Sequence, residues 1–170
     1  MKTKSISLTL FAFVAILQAG EPANPAIDHA RFAQLASELE PIRERNRLSE
    51  EAFLKMSAEL GIVILDSRSA AEFAANHIRS ARHLSLVDFT EEALQNVIPH
   101  KSTKVLIYCN NNIIGLRQKR AAAALNHQVF INLHVYGYTN VYELGPMLDL
   151  QTTKIPFEGT GVLPMCGRKP

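Results

Sequence analysis

Tryptophan is absent from this chain and cysteine nearly so: among 170 residues only Cys109 and Cys166 carry a thiol. So few cysteines exclude a disulfide-dense scaffold, and a chain of this length buries a sizeable core without staples as one domain. Low-complexity tracts are missing too. Long apolar runs are confined to residues 6–17, which is short for a transmembrane helix. That run follows Lys2 and Lys4 and precedes the small Ala19, so residues 1–19 are expected to be a secretory signal peptide, although Leu17 is a poor minus-three residue. No cysteine follows it, which argues against a bacterial-type lipid anchor. Net charge is also slight, 18 Lys and Arg against 16 Asp and Glu. With Lys2 and Lys4 set aside the two signs balance. Nothing in this charge pattern supports nucleic-acid or anionic-membrane binding. The expected membrane contact is through the leader alone, and the expected location is exported, periplasmic or otherwise extracytoplasmic. His83, His127 and His134 lack metal-ligand spacing, so no metal site is expected.

What is present alternates between helix and strand signals. Residues 20–48 read as a Pro-containing linker followed by a helix over 28–39, which Pro41 is expected to end. Residues 43–47 read as a charged, exposed connector. Ser49 caps a second helix with Glu50 and Glu51 in its first turn, and Gly61 ends it. Ile62, Val63, Ile64 and Leu65 form a continuous apolar strand of the kind buried on both faces. Ser69 and Glu72 have capping-box spacing, which predicts a short helix over 70–76. A second short strand is expected over 83–86, and Thr90 and Pro99 bracket another helix. Residues 104–108 are the next strand, and 140–144 another. Strands alternating with helices imply parallel βαβ units and a layered α/β domain. The stretch 117–125 is Ala-rich with high helix propensity. The alternation over 129–135 says strand. The tail, 151–170, is expected to be mostly irregular, with Phe157 anchoring part of it.

The chemistry concentrates at Cys109. It closes an apolar strand and opens a polar loop with Asn110, Asn111, Asn112, Gly115, Arg117, Lys119 and Arg120. Ligands of open α/β sheets gather beyond strand carboxyl ends, and loop amides and cations stabilise a thiolate there. A structural Cys109–Cys166 disulfide is the bland alternative, and a non-catalytic binding module or, with labile pairing of the same two, a thiol-redox module is a further reading.

Two stretches carry a family likeness. The first contains Asp66, Arg68, Glu72, Phe73, Asn76, His77, Ile78, Ser80 and Ala81. The second contains Tyr108 and Cys109, then Gly137, Tyr138, Asn140, Val141, Leu144 and Gly145. Together they resemble the rhodanese-like sulfurtransferase family, with Asn76 and Ser80 standing where two glycines are usual. The resemblance implies a three-layer domain over 49–150 with a central, mostly parallel sheet flanked by helices. It implies a persulfide on Cys109, a small anionic sulfur donor such as thiosulfate, a thiol, cyanide or small-protein acceptor, and no cofactor. Asn110, Asn111, Asn112, Gly115 and Arg117 are the expected substrate-binding residues, with Arg117 the preferred cation because its planar fork suits an oxyanion. The likeness also implies that 130–136 is helical, with Gly137 at its C-cap, and that Asp66 and Arg68 are mainly structural. One departure is large. Ordinary members have a compact six-residue loop with an Arg directly after the cysteine. Here Arg117 comes eight positions later, and the loop could run to Asn126. A cysteine-based phosphatase or arsenate reductase is the second enzyme class this longer loop suggests.

Overall fold

Five short strands, β1 (Arg47–Leu48), β2 (Val63–Asp66), β4 (Arg82–His83), β5 (Val105–Tyr108) and β6 (Val141–Leu144), pair in parallel in the order β1-β6-β5-β2-β4. They are drawn from a computed structural model that describes Asn24 and residues 27–161. The expected leader and Cys166 lie outside the described residues. β2 and β5 are buried along their whole length, as strands covered on both faces must be. Alternate residues point to opposite layers. Val63, Leu65, Val105, Ile107 and Val141 face α4 (Glu91–Val97) and α5 (Leu125–Val135), joined by Leu39 and Ile42 of α1 (His29–Arg45). Ile64, Leu106, Tyr108 and Leu144 face Phe53 of α2 (Glu50–Ser57). This is the expected α/β architecture, a mostly parallel sheet between helices.

Local signals worked where their partners are near in sequence. Ser49 caps α2, Thr90 caps α4, and Ser69 with Glu72 forms a reciprocal capping box on α3 (Ala70–Ala75). Ser80 stands at φ +69°, a left-handed position that explains why a glycine is usual there.

Four expectations need correction. Pro41 lies inside α1 and does not end it. The lost backbone bond is outweighed by packing of Leu39 and Ile42 on the sheet. Residues 43–47 are not a connector: 43–45 complete α1 and Arg47 opens β1, and although Glu44, Arg45 and Arg47 are exposed as expected, Arg43 is buried. Residues 129–135 belong to a helix, against their strand-like alternation and as the family resemblance implied. Asn126, Val129, Phe130 and Leu133 share one buried helical face, and Gly137 (φ +83°) closes the helix as Tyr138 N donates to Leu133 O and Gly137 N to His134 O. The helix over 117–125 reduces to a single 3₁₀ turn, Ala121–Ala123, because propensity alone does not hold so short a segment. The described part of the tail, 151–161, includes a strand. Phe157–Glu158 forms β7, antiparallel to β3 (His77–Ile78), and Phe157 meets Tyr108 edge-on. No helix among the described residues is long and apolar enough to cross a membrane.

Candidate active site

Strand alternation places Cys109 in the same phase as Val105 and Ile107, on the α5 side of the sheet. α5 delivers its first turn to the sulfur. Main-chain amides of Asn111, Asn126 and Leu125 all address it. These are donors a helix start and a tight turn leave unpaired. Among the described residues the thiol has no disulfide partner; it is only 2% exposed, yet it lines a cavity of about 290 Å³ together with Arg68, Glu72, Asn110, Lys119 and Leu125.

Cys109 does not have the lowered pKa expected of an activated thiol. Burial pushes it up, and the amides of Asn111, Asn126 and Leu125 only partly pull it back, while the Glu143 carboxylate adds to the upward push. The cause of that last effect lies in the register. Ile107 pairs with Glu143 across β5 and β6, so Glu143 sits diagonally beside Cys109 on the same face.

The three asparagines are brought to the site, but their side chains serve the protein. Asn110 Oδ1 accepts from Arg68 (2.8 Å), and its amide donates to Glu72. Asn111 holds Lys119 through a two-way pair of 2.8 and 3.0 Å. Asn112 is buried. It accepts from Cys109 N at 2.9 Å and donates to Leu144 O and Pro146 O. Each of the three side-chain amides is thus engaged within the protein. Gly115 takes φ +83° in open space and lines neither the Cys109 cavity nor its neighbour. Arg117 lies in that neighbour, a cavity of about 570 Å³ that shares Arg68, Glu72, Asn110 and Lys119 but lacks Cys109. Lys119 is the loop cation that reaches the thiol's cavity, because Asn111 pins its backbone there.

The long loop is anchored at both ends. Ile113 is fully buried, bridges Leu148, and is followed by Ile114 N donating to Leu148 O (2.8 Å). Asn126 Nδ2 reaches back to Asn112 Oδ1 (3.2 Å), so the residues that flank the detour are tied together beneath the sulfur.

Beside this lies the turn after β2. Asp66 and Arg68 form a buried ion pair at 2.6 Å, and Tyr108 OH donates to the same carboxylate (2.5 Å) while accepting from Ile78 N. Arg68 also donates to Asn76 O (2.5 Å). Both side chains are engaged within the protein, while Arg68 also lines the Cys109 cavity. Sequence reasoning missed Arg43, Asn126 and Glu143. One signal was available: Glu143 occupies the buried phase of an apolar strand, where a charge demands a partner. Among the described residues no group of three or more His, Cys, Asp or Glu side chains is arranged to hold a metal.

Residues 49–145 match the family model described as Rhodanese-like domain. A thiosulfate sulfurtransferase, GlpE, of Pseudomonas putida is 30% identical over 118 residues, which span 68% of this chain and 92% of the relative. The crystal structure of a Bacillus halodurans protein superposes with a TM-score of 0.51 at 16% identity, covering 78% of this chain and 92% of that one. The solution structure of a rhodanese-like domain from Anabaena gives 0.51 at 18% identity, covering 74% and 87%. At such identities these two structures are likenesses of fold.

Proposed function

The chain belongs to the rhodanese-like family, and we propose that it is a sulfurtransferase that carries sulfane sulfur as a persulfide on Cys109. The observation that carries this reading is the thiol itself, on a cavity wall with main-chain amides of Asn111, Leu125 and Asn126 turned toward it. In the first half-reaction the Cys109 proton leaves to solvent and the thiolate attacks the outer sulfur of thiosulfate. A sulfur–sulfur bond forms to Cys109, the sulfur–sulfur bond of thiosulfate breaks, and sulfite departs with the bonding pair. In the second, a thiolate or cyanide attacks the outer sulfur, and the pair returns to Cys109. The amides hold the anionic persulfide between the two steps. Lys119, on the cavity lining, attracts the anionic donor. The chemistry uses no cofactor.

The phosphatase reading loses ground on geometry. It needs a guanidinium beside the thiol. Arg68 is committed to Asp66, and Arg117 lies in the neighbouring cavity. Mass spectrometry after exposure to thiosulfate tests the proposal. One added sulfur atom is expected on the peptide containing Cys109 and none in Cys109→Ser. A Cys109→Ser protein that still passed sulfur from thiosulfate to cyanide would refute it. Because burial raises the thiol, loading is expected to quicken as pH climbs through the ordinary thiol range and beyond. Export is part of this reading, supported by the leader-like pattern of residues 1–19, and amino-terminal sequencing of the envelope form is expected to begin near Gly20.

A further inference from the structure

A buried polar chain runs from the amino-terminal helix to the sulfur. Arg43, at the end of α1, lies outside the family-matched residues 49–145. It is 6% exposed and pairs with Glu143, itself 5% exposed, through contacts of 2.8 and 3.2 Å. Glu143 Oε1 also accepts from Asn126 Nδ2 (3.0 Å). The same amide group donates to Asn112 Oδ1 (3.2 Å), and that oxygen accepts from Cys109 N (2.9 Å). Asn126 thus stands in two places at once: its side chain joins Glu143 to Asn112, and its main-chain amide addresses the sulfur.

We propose that Arg43 is a positioning residue for Cys109, neutralising the Glu143 carboxylate beside the thiol and holding the Asn126–Asn112 link that orients the sulfur's amide cradle. The inference rests on Cys109 being the reacting group. A carboxylate in the same strand phase as the nucleophile works against formation of an anionic sulfur. A buried carboxylate without its cation also does not keep its place. Arg43 addresses both through one ion pair. The other charged groups around the thiol do not substitute for it. Lys119 and Glu72 line the cavity on its open side, and Arg68 is bound to Asp66. Arg43 alone approaches Glu143 from α1, and Glu40 and Glu44 on that helix share its other terminal nitrogen. α1 is therefore part of the reactive apparatus and not only a cover over the sheet.

The test is the pH profile of iodoacetamide alkylation at Cys109 in the full-length protein, followed by peptide mass spectrometry so that Cys166 is read separately. R43Q is expected to move the profile to higher pH and to slow alkylation at a fixed pH by about tenfold, the change that one unit of midpoint represents. E143Q is expected to move it to lower pH. R43Q/E143Q is expected to fall between the two, and R43K to recover most of the wild-type profile. A folded R43Q whose profile superimposes on that of the wild type overturns the proposal. Should R43Q not fold, E143Q decides: an unchanged or upward-shifted profile overturns it equally. Alkylation reads the thiol without any sulfur donor. Failure of thiosulfate loading in the wild type would refute sulfur transfer while leaving these profiles standing.

Discussion

Two loops leave the carboxyl ends of adjacent strands, and they are built on opposite plans. The turn after β2 is closed by near neighbours. Arg68 pairs with Asp66 two residues away, and Ser69 with Glu72 three residues away. The loop after β5 is closed by strangers. Asn112 bonds Leu144 and Pro146, Ile113 bridges Leu148, and Glu143 holds an arginine 100 positions distant. The first loop is a bracket whose ion pair and capping box lie within one short stretch of sequence, with Tyr108 and Asn110 reaching it from the next strand and loop. The second exists only once four separate segments have met. The Cys109 thiol sits in the second, which leans on the first through the Arg68–Asn110 bond.

Breaking the bracket has the largest expected effect. Asp66→Asn leaves the Arg68 guanidinium buried without its anion, and a loss of about 3–5 kcal/mol is expected in urea denaturation. A wild-type midpoint would show that the bracket is not held by this pair. Asn112→Ala strikes the distant-contact loop instead. It strips a partner from Cys109 N, Leu144 O and Pro146 O, and a loss of about 1–3 kcal/mol is expected by the same measurement. Here the sharper consequence falls on Cys109, whose alkylation rate should change far more than in any variant of the β2 turn that still folds.

Acid titration separates the loops again. Burial works against the Glu72 carboxylate, but bonds from Ser69 and Asn110 and the charge of Arg68 outweigh it and hold its pKa below the usual range. A depressed carboxylate contributes stability above its unfolded value of about 4.3, and loses it as pH falls through the folded value. The stability gap between wild type and Glu72→Gln, about 1 kcal/mol near neutrality for a capping contact, should therefore close as the solution is acidified. A gap independent of pH would remove the carboxylate from the account. The smallest effect is expected at Ser80. Glycine there relieves a left-handed φ but loosens the unfolded chain, for a net gain under about 1 kcal/mol in thermal unfolding.

The same division explains which expectations held. Capping residues, the doubly buried strands and the Asp66–Arg68 turn follow from residues within one helical turn of each other. The strand-like reading of 129–135 failed because Val129, Ile131 and Leu133 do alternate, while the buried face also takes in Asn126 and Phe130. The family resemblance pointed to the helix, and packing against the sheet selects its buried face. Arg117 was the preferred cation by its chemistry. It lines the neighbouring cavity, while Lys119 lines that of Cys109, where Asn111 fastens it, a contact across eight residues that no spacing rule anticipates. Cys109 was found from its strand and loop. The raised thiol was not, because its causes are burial and a carboxylate from another strand.

Residue order alone was enough to say that helices and parallel strands alternate, where most caps fall, and which sulfur ends a buried strand, since those depend on side-chain type and short-range geometry. What surrounds that sulfur in charge and hydrogen bonds was decided by the assembled sheet. Arg43, Cys109, Asn126 and Glu143 lie far apart in the chain and acquire their mutual distances only when α1, β5, α5 and β6 pack together.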